Sequence, residues 1–200
     1  MSKTATTLLH LFLLFAAANS SHNLPGGHHR HTLDEACRAT LHPSLCVQSL
    51  SPLTHPRSAR RSPRWWAHAA LSLAASEVRR AGTGLPQLHR LVRGRHAAAA
   101  LADCSECLSD AEDMLRGSLT ELSRLEPSTF ERQMEDVKTW VSAALTDEET
   151  CVDGFVEEGG DDVDEGKGLA AEIRRRVTNT TYYTSNALAL VNCFASIRGM

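Results

Sequence analysis

Residues 101–126 read LADCSECLSDAEDMLRGSLTELSRLE, and two interleaved rows run through them at heptad spacing: Leu101, Leu108, Leu115 and Leu122 in one, Cys104, Ala111, Ser118 and Leu125 in the other. An α-helix turns once every 3.6 residues, so two rows offset by three and four positions share one face and form a stripe that must be buried. A strand would instead alternate with a period of two, and no segment of the chain sustains that pattern. The stretch predicts a long helix starting at Pro86, where a missing amide hydrogen costs nothing, and running to about Glu126 with a break allowed at Gly94.

On the C-terminal side Pro127 stops this helix, and Ser128 with Glu131 has the form of a capping box that would open the next. That helix carries Phe130, Val137, Ala144 and Cys151 in one row and Met134, Val141 and Phe155 in the other. Gly159 and Gly160 interrupt the chain, the acids from Asp161 to Glu165 suit the positive end of a helix dipole, and Leu169, Ile173, Val177, Leu188 and Val191 face inward through about Ala195. On the N-terminal side Leu71, Ala74, Ala75 and Val78 lie at helical spacing in a segment from Trp65 to the glycines at 82 and 84. Four amphipathic helices joined by short turns bury their stripes most economically as an antiparallel up-down-up-down four-helix bundle, an all-α fold.

The cysteines test this arrangement. Folding the chain back at Pro127 brings Cys104, 23 residues before it, level with Cys151, 24 after it. Both lie on the inward stripes, so a Cys104–Cys151 bridge is expected. Cys37 and Cys46 flank Pro43 and are expected to clip two short helices into an N-terminal hairpin extension. Cys107 and Cys193 fall at levels of the bundle separated by roughly 30 Å of helix, so both are expected to remain thiols.

The 200-residue length and 42% hydrophobic content suit one core. Lys3 followed by the apolar run from Leu8 to Ala18 has the layout of a secretory signal peptide over 1–18, too short to span a bilayer. Its removal would take the net charge from -3 to about -4, so nucleic acid is not an expected partner, and no membrane attachment is expected after cleavage. An oxidising route fits six cysteines and the Asn179-Thr180-Thr181 sequon, which makes Asn179 a candidate glycosylation site. Residues 19–31, with His22, His28, His29 and His31 among Gly and Pro, read as a flexible tail, and no metal or other cofactor is expected. Arg57, Arg60, Arg61 and Arg64, interrupted by Pro56 and Pro63, read as a solvated basic linker.

Four pieces, in order, resemble the plant invertase and pectin methylesterase inhibitor family: CRATLHPSLC at 37–46, ALADC at 100–104 with Asp110-Ala111, WVSAALT at 140–146 running to TCVD at 150–153, and SNALAL at 185–190. The resemblance covers about 32–196. It implies a four-helix bundle with a hairpin extension, the two disulfides paired as above, and a one-to-one complex with a cell-wall enzyme whose substrate cleft the inhibitor occludes. Invertase inhibitors of the family commonly carry Pro-Lys-Phe near the start of the third helix, and this chain has none. Its WVSAALT stretch looks more like the pectin methylesterase side. Related domains also occur as pro-regions of the esterases, but with the chain ending at Met200 and no catalytic domain, a stand-alone apoplastic inhibitor is the expectation, and acid invertase is the alternative target. The family more often has Tyr or another uncharged residue at the position of Cys107.

Glu106, Asp110 and Asp113 recur at helical spacing beside the apolar seam, and Thr150 and Asp153 bracket Cys151 at the height of its bridge. The resemblance implies that these five contribute to the surface that meets the esterase, completed from the fourth helix. No catalytic residue is expected: carboxylates in a row on one regular helix have nothing to split their proton affinities, and no signature pairs Cys107 with a histidine. The remaining alternative is a secreted helical module that binds polysaccharide or metal through its Arg- and His-rich segments.

Overall fold

The structure is a computed structural model that describes residues 32–53, 62–88, 92, 94–155 and 164–198. The signal segment 1–18, the histidine tail to His31, Arg57, Arg60, Arg61, the Gly159-Gly160 break and the side chain of Leu169 lie outside the described residues. The described residues are helical apart from turns, with no strand among them. The elements are α1 (Leu33–Arg38), α2 (Pro43–Leu50), a 3-10 turn (Ser51–Leu53), α3 (Pro63–Leu88), α4 (Arg95–Ser123), α5 (Phe130–Asp153) and α6 (Asp164–Arg198).

The expected hairpin forms from α1 and α2. The Thr32 hydroxyl accepts the Glu35 amide at 3.3 Å to cap α1, Pro43 sits in the first turn of α2, and Cys37 is bonded to Cys46. Asn186 of α6 pins the hairpin from both sides: its Oδ1 accepts the His42 amide at 3.1 Å, and its Nδ2 donates to the His42 carbonyl at 3.0 Å. The His42 ring lies on Tyr182, centroids 4.1 Å apart.

α3 starts two residues before the expected Trp65, because Ser62 accepts the Trp65 amide at 3.2 Å and Pro63 occupies the first helical position. It also runs through Gly82, Gly84 and Pro86 to Leu88, so Pro86 belongs to its last turn and does not open the following helix. A proline inside a helix costs about 3 kcal/mol, and burying Leu85 and Leu88 returns about 1.5–3 kcal/mol each, which is enough to keep that turn on the core. The following helix instead begins at Arg95, after Gly94 at φ 95°, a left-handed conformation that glycine tolerates without strain. α4 ends at Ser123, short of Glu126, where Arg64 donates from Nη2 to the carbonyls of Leu122 (2.9 Å) and Ser123 (3.1 Å). One arginine of the supposed solvated linker is therefore a helix cap.

The capping box at Ser128 and Glu131 is not formed. α5 begins at Phe130 with Thr129 at the cap position, and the buried Gln133 takes over: its Oε1 accepts the Glu126 amide (2.8 Å) and the Thr129 hydroxyl (3.0 Å), and its Nε2 donates to the Arg124 carbonyl (3.1 Å). The polar groups of this turn point inward, where an amide side chain can satisfy donors and acceptors together, whereas Ser128 and Glu131 are exposed.

The predicted stripes of α4 and α5 are buried at Leu101, Cys104, Leu108, Ala111, Leu115, Ser118, Leu122, Met134, Val137, Val141, Ala144 and Cys151. α6 departs from its expectation. Ile173, Val177 and Val191 are buried, but Leu188 is only half-buried, and the inward row continues through Thr180, Thr184, Ala187 and Phe194. The four long helices pack in a ring, α3 against α4 and α6, and α5 against α4 and α6. Consecutive helices run antiparallel. Arg64 meets Leu122 while Arg79 meets Glu112; Cys104 meets Cys151 while Gly117 lies against Trp140; Phe130 meets Phe194 while Glu148 meets Thr180.

Candidate functional site

The α4/α5 seam is held by the Cys104–Cys151 disulfide, with Cα atoms 4.2 Å apart. Cys107 and Cys193 are free thiols. At the level of the bridge Glu106 on α4 and Thr150 and Asp153 on α5 are exposed, and the Thr150 hydroxyl donates back to the Thr146 carbonyl at 2.8 Å. One to two turns away Asp110 and Asp113 rim a shallow groove whose floor is Met114 and Gly117 and whose wall is Trp140. Trp140 is 36% exposed, and its ring edge comes within 3.5 Å of where a Cβ on Gly117 would lie, so the glycine seats the indole against α4. Of the five expected contact residues, Asp110 and Asp113 share this groove, while Glu106, Thr150 and Asp153 lie outside it.

Two neighbours escaped the sequence reading. Asp147 lies close enough to Asp110 to feel its charge: burial first, then Asp110, raises the Asp147 proton affinity, and its Oδ2 is buried with no hydrogen-bond partner among the described residues. Trp140 is the other: reflection about Pro127 sets Gly117 opposite Val137 and Lys138, and the indole that reaches it comes from two to three residues further along α5. Cys107 sits in the same acidic surroundings. Burial, then Asp147 and Asp110, raises its thiol above the usual range, so it is held protonated and is a poor nucleophile.

Behind this face lies a polar inclusion in the core. Glu148 occupies the row of Met134, Val141 and Phe155, fully buried, with Thr184 donating to Oε1 at 2.5 Å and Thr180 2.7 Å from Oε2. The Thr180 oxygen is also 2.7 Å from the Val177 carbonyl, and one hydroxyl has one proton to give. All three contacts are satisfied if Glu148 is a neutral acid that donates to Thr180, which in turn donates to Val177. Burial agrees, pushing the carboxyl from 4.5 up to about 7 against the lowering effect of the two hydroxyls, with the neighbouring acids Glu149 and Asp147 adding to the rise.

Charge is divided between the two sides of the ring. Leaving out the buried Glu148, α4 carries six acids against two bases and α5 six against two, a net -8, whereas α3 carries three bases against one acid and α6 five against three, a net +4. Asn179 is exposed on α6, on the basic side. Among the described residues no group of His, Cys, Asp and Glu is placed to hold a metal ion, and no helix is long and apolar enough to cross a membrane.

The sequence model of the family described as "Plant invertase/pectin methylesterase inhibitor" matches residues 31–190. The chain is 35% identical to the 21 kDa protein of Daucus carota over 98% of this chain and 97% of that one. It is 36% identical to pectinesterase inhibitor 6 of Arabidopsis thaliana, over 80% of this chain and 74% of that one, and 34% identical to pectinesterase inhibitor 3 of the same plant, over 94% of each. A solved structure, mutant form A of a pectin methylesterase inhibitor from Arabidopsis, superposes with a TM-score of 0.60 at 18% identity, covering 80% of this chain and 95% of that one, which shows a shared fold.

Proposed function

Because the chain belongs to the plant invertase/pectin methylesterase inhibitor family, a family of protein inhibitors and not of enzymes, we propose that its target is a cell-wall pectin methylesterase. It is secreted, acts in the apoplast, and binds the esterase one-to-one so that the substrate cleft is blocked and removal of methyl esters from pectin is limited. Support for the esterase over acid invertase comes from the names of two of the relatives, pectinesterase inhibitors 6 and 3, at 36% and 34% identity over most of the chain.

The binding face is the α4/α5 seam, with Asp110 and Asp113 beside the Trp140 groove and with Glu106, Thr150 and Asp153 around the disulfide. The observation that carries this reading is the pairing of a half-exposed indole with a rim of carboxylates on a covalently clamped pair of helices. An aromatic anchor surrounded by polar residues is the usual composition of an interface hot spot, and the clamp lowers the entropy lost on docking. The excess of acids on this side would steer a basic partner toward it.

Titrating the purified chain into assays of a plant pectin methylesterase and an acid invertase tests the reading. Esterase inhibition saturating at one equivalent, with invertase unaffected, is the expected result. Inhibition of invertase alone, or of neither enzyme, overturns it.

A further inference from the structure

The α3/α6 side of the bundle takes no part in the reading above, and its charge has the opposite sign. Five arginines gather around α3 and share three glutamates. Glu112 takes both Arg79 (2.8 Å) and Arg116 (3.3 Å), Glu172 takes both Arg175 (2.9 Å) and Arg176 (2.6 Å), and Glu77 pairs with Arg80. Two positive charges are left over, one at the α3/α4 seam, where Arg79 and Arg116 share Glu112 of α4, and one between α3 and α6, where Arg80, Arg175 and Arg176 face Glu77 and Glu172. A guanidinium has five N–H donors in a planar fork, and each glutamate engages only one or two of them, so donors remain open on every arginine of the group. The side chains of Arg79, Arg80, Arg116 and Arg175 are 56%, 71%, 61% and 70% exposed.

Between α3 and α6 lies a groove of about 430 Å³, bordered by Arg80, Arg175 and Arg176 together with Glu77 and Asn179. Gly84, one turn beyond Arg80 on α3, makes room for one of these arginines. A Cβ there would stand 2.7 Å from Arg176 Nη1, so the bare backbone lets this guanidinium lie against α3.

We propose that this arginine seam is a second binding face, for a carboxylated polysaccharide built of uronic acids, which it engages while the α4/α5 face stays free for the esterase. Planar forks match carboxylates that recur along such a chain, and the interspersed Glu77 and Glu172 offer acceptors for sugar hydroxyls. The choice of a uronic acid chain rests on the functional reading above, because a pectin methylesterase leaves free carboxylates on its polymer, and a tether on that product would hold the inhibitor where the enzyme works.

The test uses the full chain made in a bacterial periplasm, where the disulfides can form and Asn179 stays bare, and measures binding of an oligogalacturonate, its fully methyl-esterified form and a sulfated glycan by calorimetry at low and moderate salt. Preferential binding of the free-acid chain is expected, falling about tenfold or more in the Arg80→Gln, Arg175→Gln double variant, with melting temperature and esterase inhibition unchanged. The proposal is overturned if the oligogalacturonate does not bind, if the esterified or sulfated chain binds as well, or if the double variant binds like the wild type. Absence of uronate binding in the wild-type chain, with its esterase inhibition intact, faults this face alone. Uronate binding without esterase inhibition faults the functional reading alone.

Discussion

The α4/α5 and α3/α6 seams close the same core from opposite sides of the ring, and they are built differently. The first is clamped by a disulfide, acidic, and carries a half-exposed tryptophan over a glycine. The second has no disulfide among its described residues, is basic, and is rich in alanine, with Ala67, Ala70, Ala74, Ala75 and Ala81 buried on α3. Since the apolar interior is shared, the difference lies in what each side presents outward and in how firmly it is held. A protein partner gains from a rigid acidic face with an aromatic anchor, whereas a flexible polymer gains from a row of exposed cations, so the two sides suit two kinds of ligand.

The largest expected effect breaks the clamp. Replacing Cys104 and Cys151 together by Ala removes a cross-link between residues 47 apart and should cost about 4 kcal/mol, against a far smaller loss for Cys193→Ala. Calorimetric melting temperatures that fall equally for the two variants would contradict a special role for this seam.

Next in size is the pH response of Glu148, where α6 backs the acidic side. Its folded carboxyl titrates at about 7 and the unfolded one at 4.5, so the folded state favours the neutral acid. Its contribution to stability is complete below pH 4.5 and is lost as pH rises to about 7, by roughly 3 kcal/mol. Urea midpoints measured across this window should fall for the wild type and stay level for Glu148→Gln, and a wild-type midpoint independent of pH would refute the neutral core acid.

Trp140→Ala sharpens the contrast at the surface. Removing a central aromatic anchor should weaken esterase inhibition by about 2 kcal/mol, roughly thirtyfold, while uronate binding on the other side is unaffected. Equal inhibition by wild type and variant would remove the groove from the binding face. The smallest effect belongs to the rim: Asp110→Lys or Asp153→Lys should slow association about tenfold at low salt, with the loss shrinking as salt rises and the melting temperature nearly constant. Stopped-flow association rates at two ionic strengths decide this, and a salt-independent loss would point to a buried contact instead.

Much of this architecture follows from local pattern. The heptad rows of α4 and α5 are buried where their spacing put them except at Leu125 and Phe130, half-buried where the chain turns between the helices, because apolar burial adds up position by position along one helix and needs no knowledge of its neighbour. The bridge between Cys104 and Cys151 needed only one further step, the reflection about Pro127. For the acidic face, the spacing of Asp110 and Asp113 was visible, but the groove beside them was not, since it depends on which residue of α5 covers Gly117.

What the sequence by itself determined, then, was the helical content, the inward rows of α4 and α5, the hairpin and both disulfides. Tertiary structure alone decided the polar exceptions. Glu148 stands in a core row because two threonines of α6 receive it, and those threonines carry the inward row past Leu188. Gln133 replaces the Ser128 cap because the turn faces inward, and Pro86 remains helical because Leu85 and Leu88 find a core beneath them. In each case a polar group or a broken backbone bond must be compensated by a residue distant in sequence, and only the packed chain brings that partner within reach.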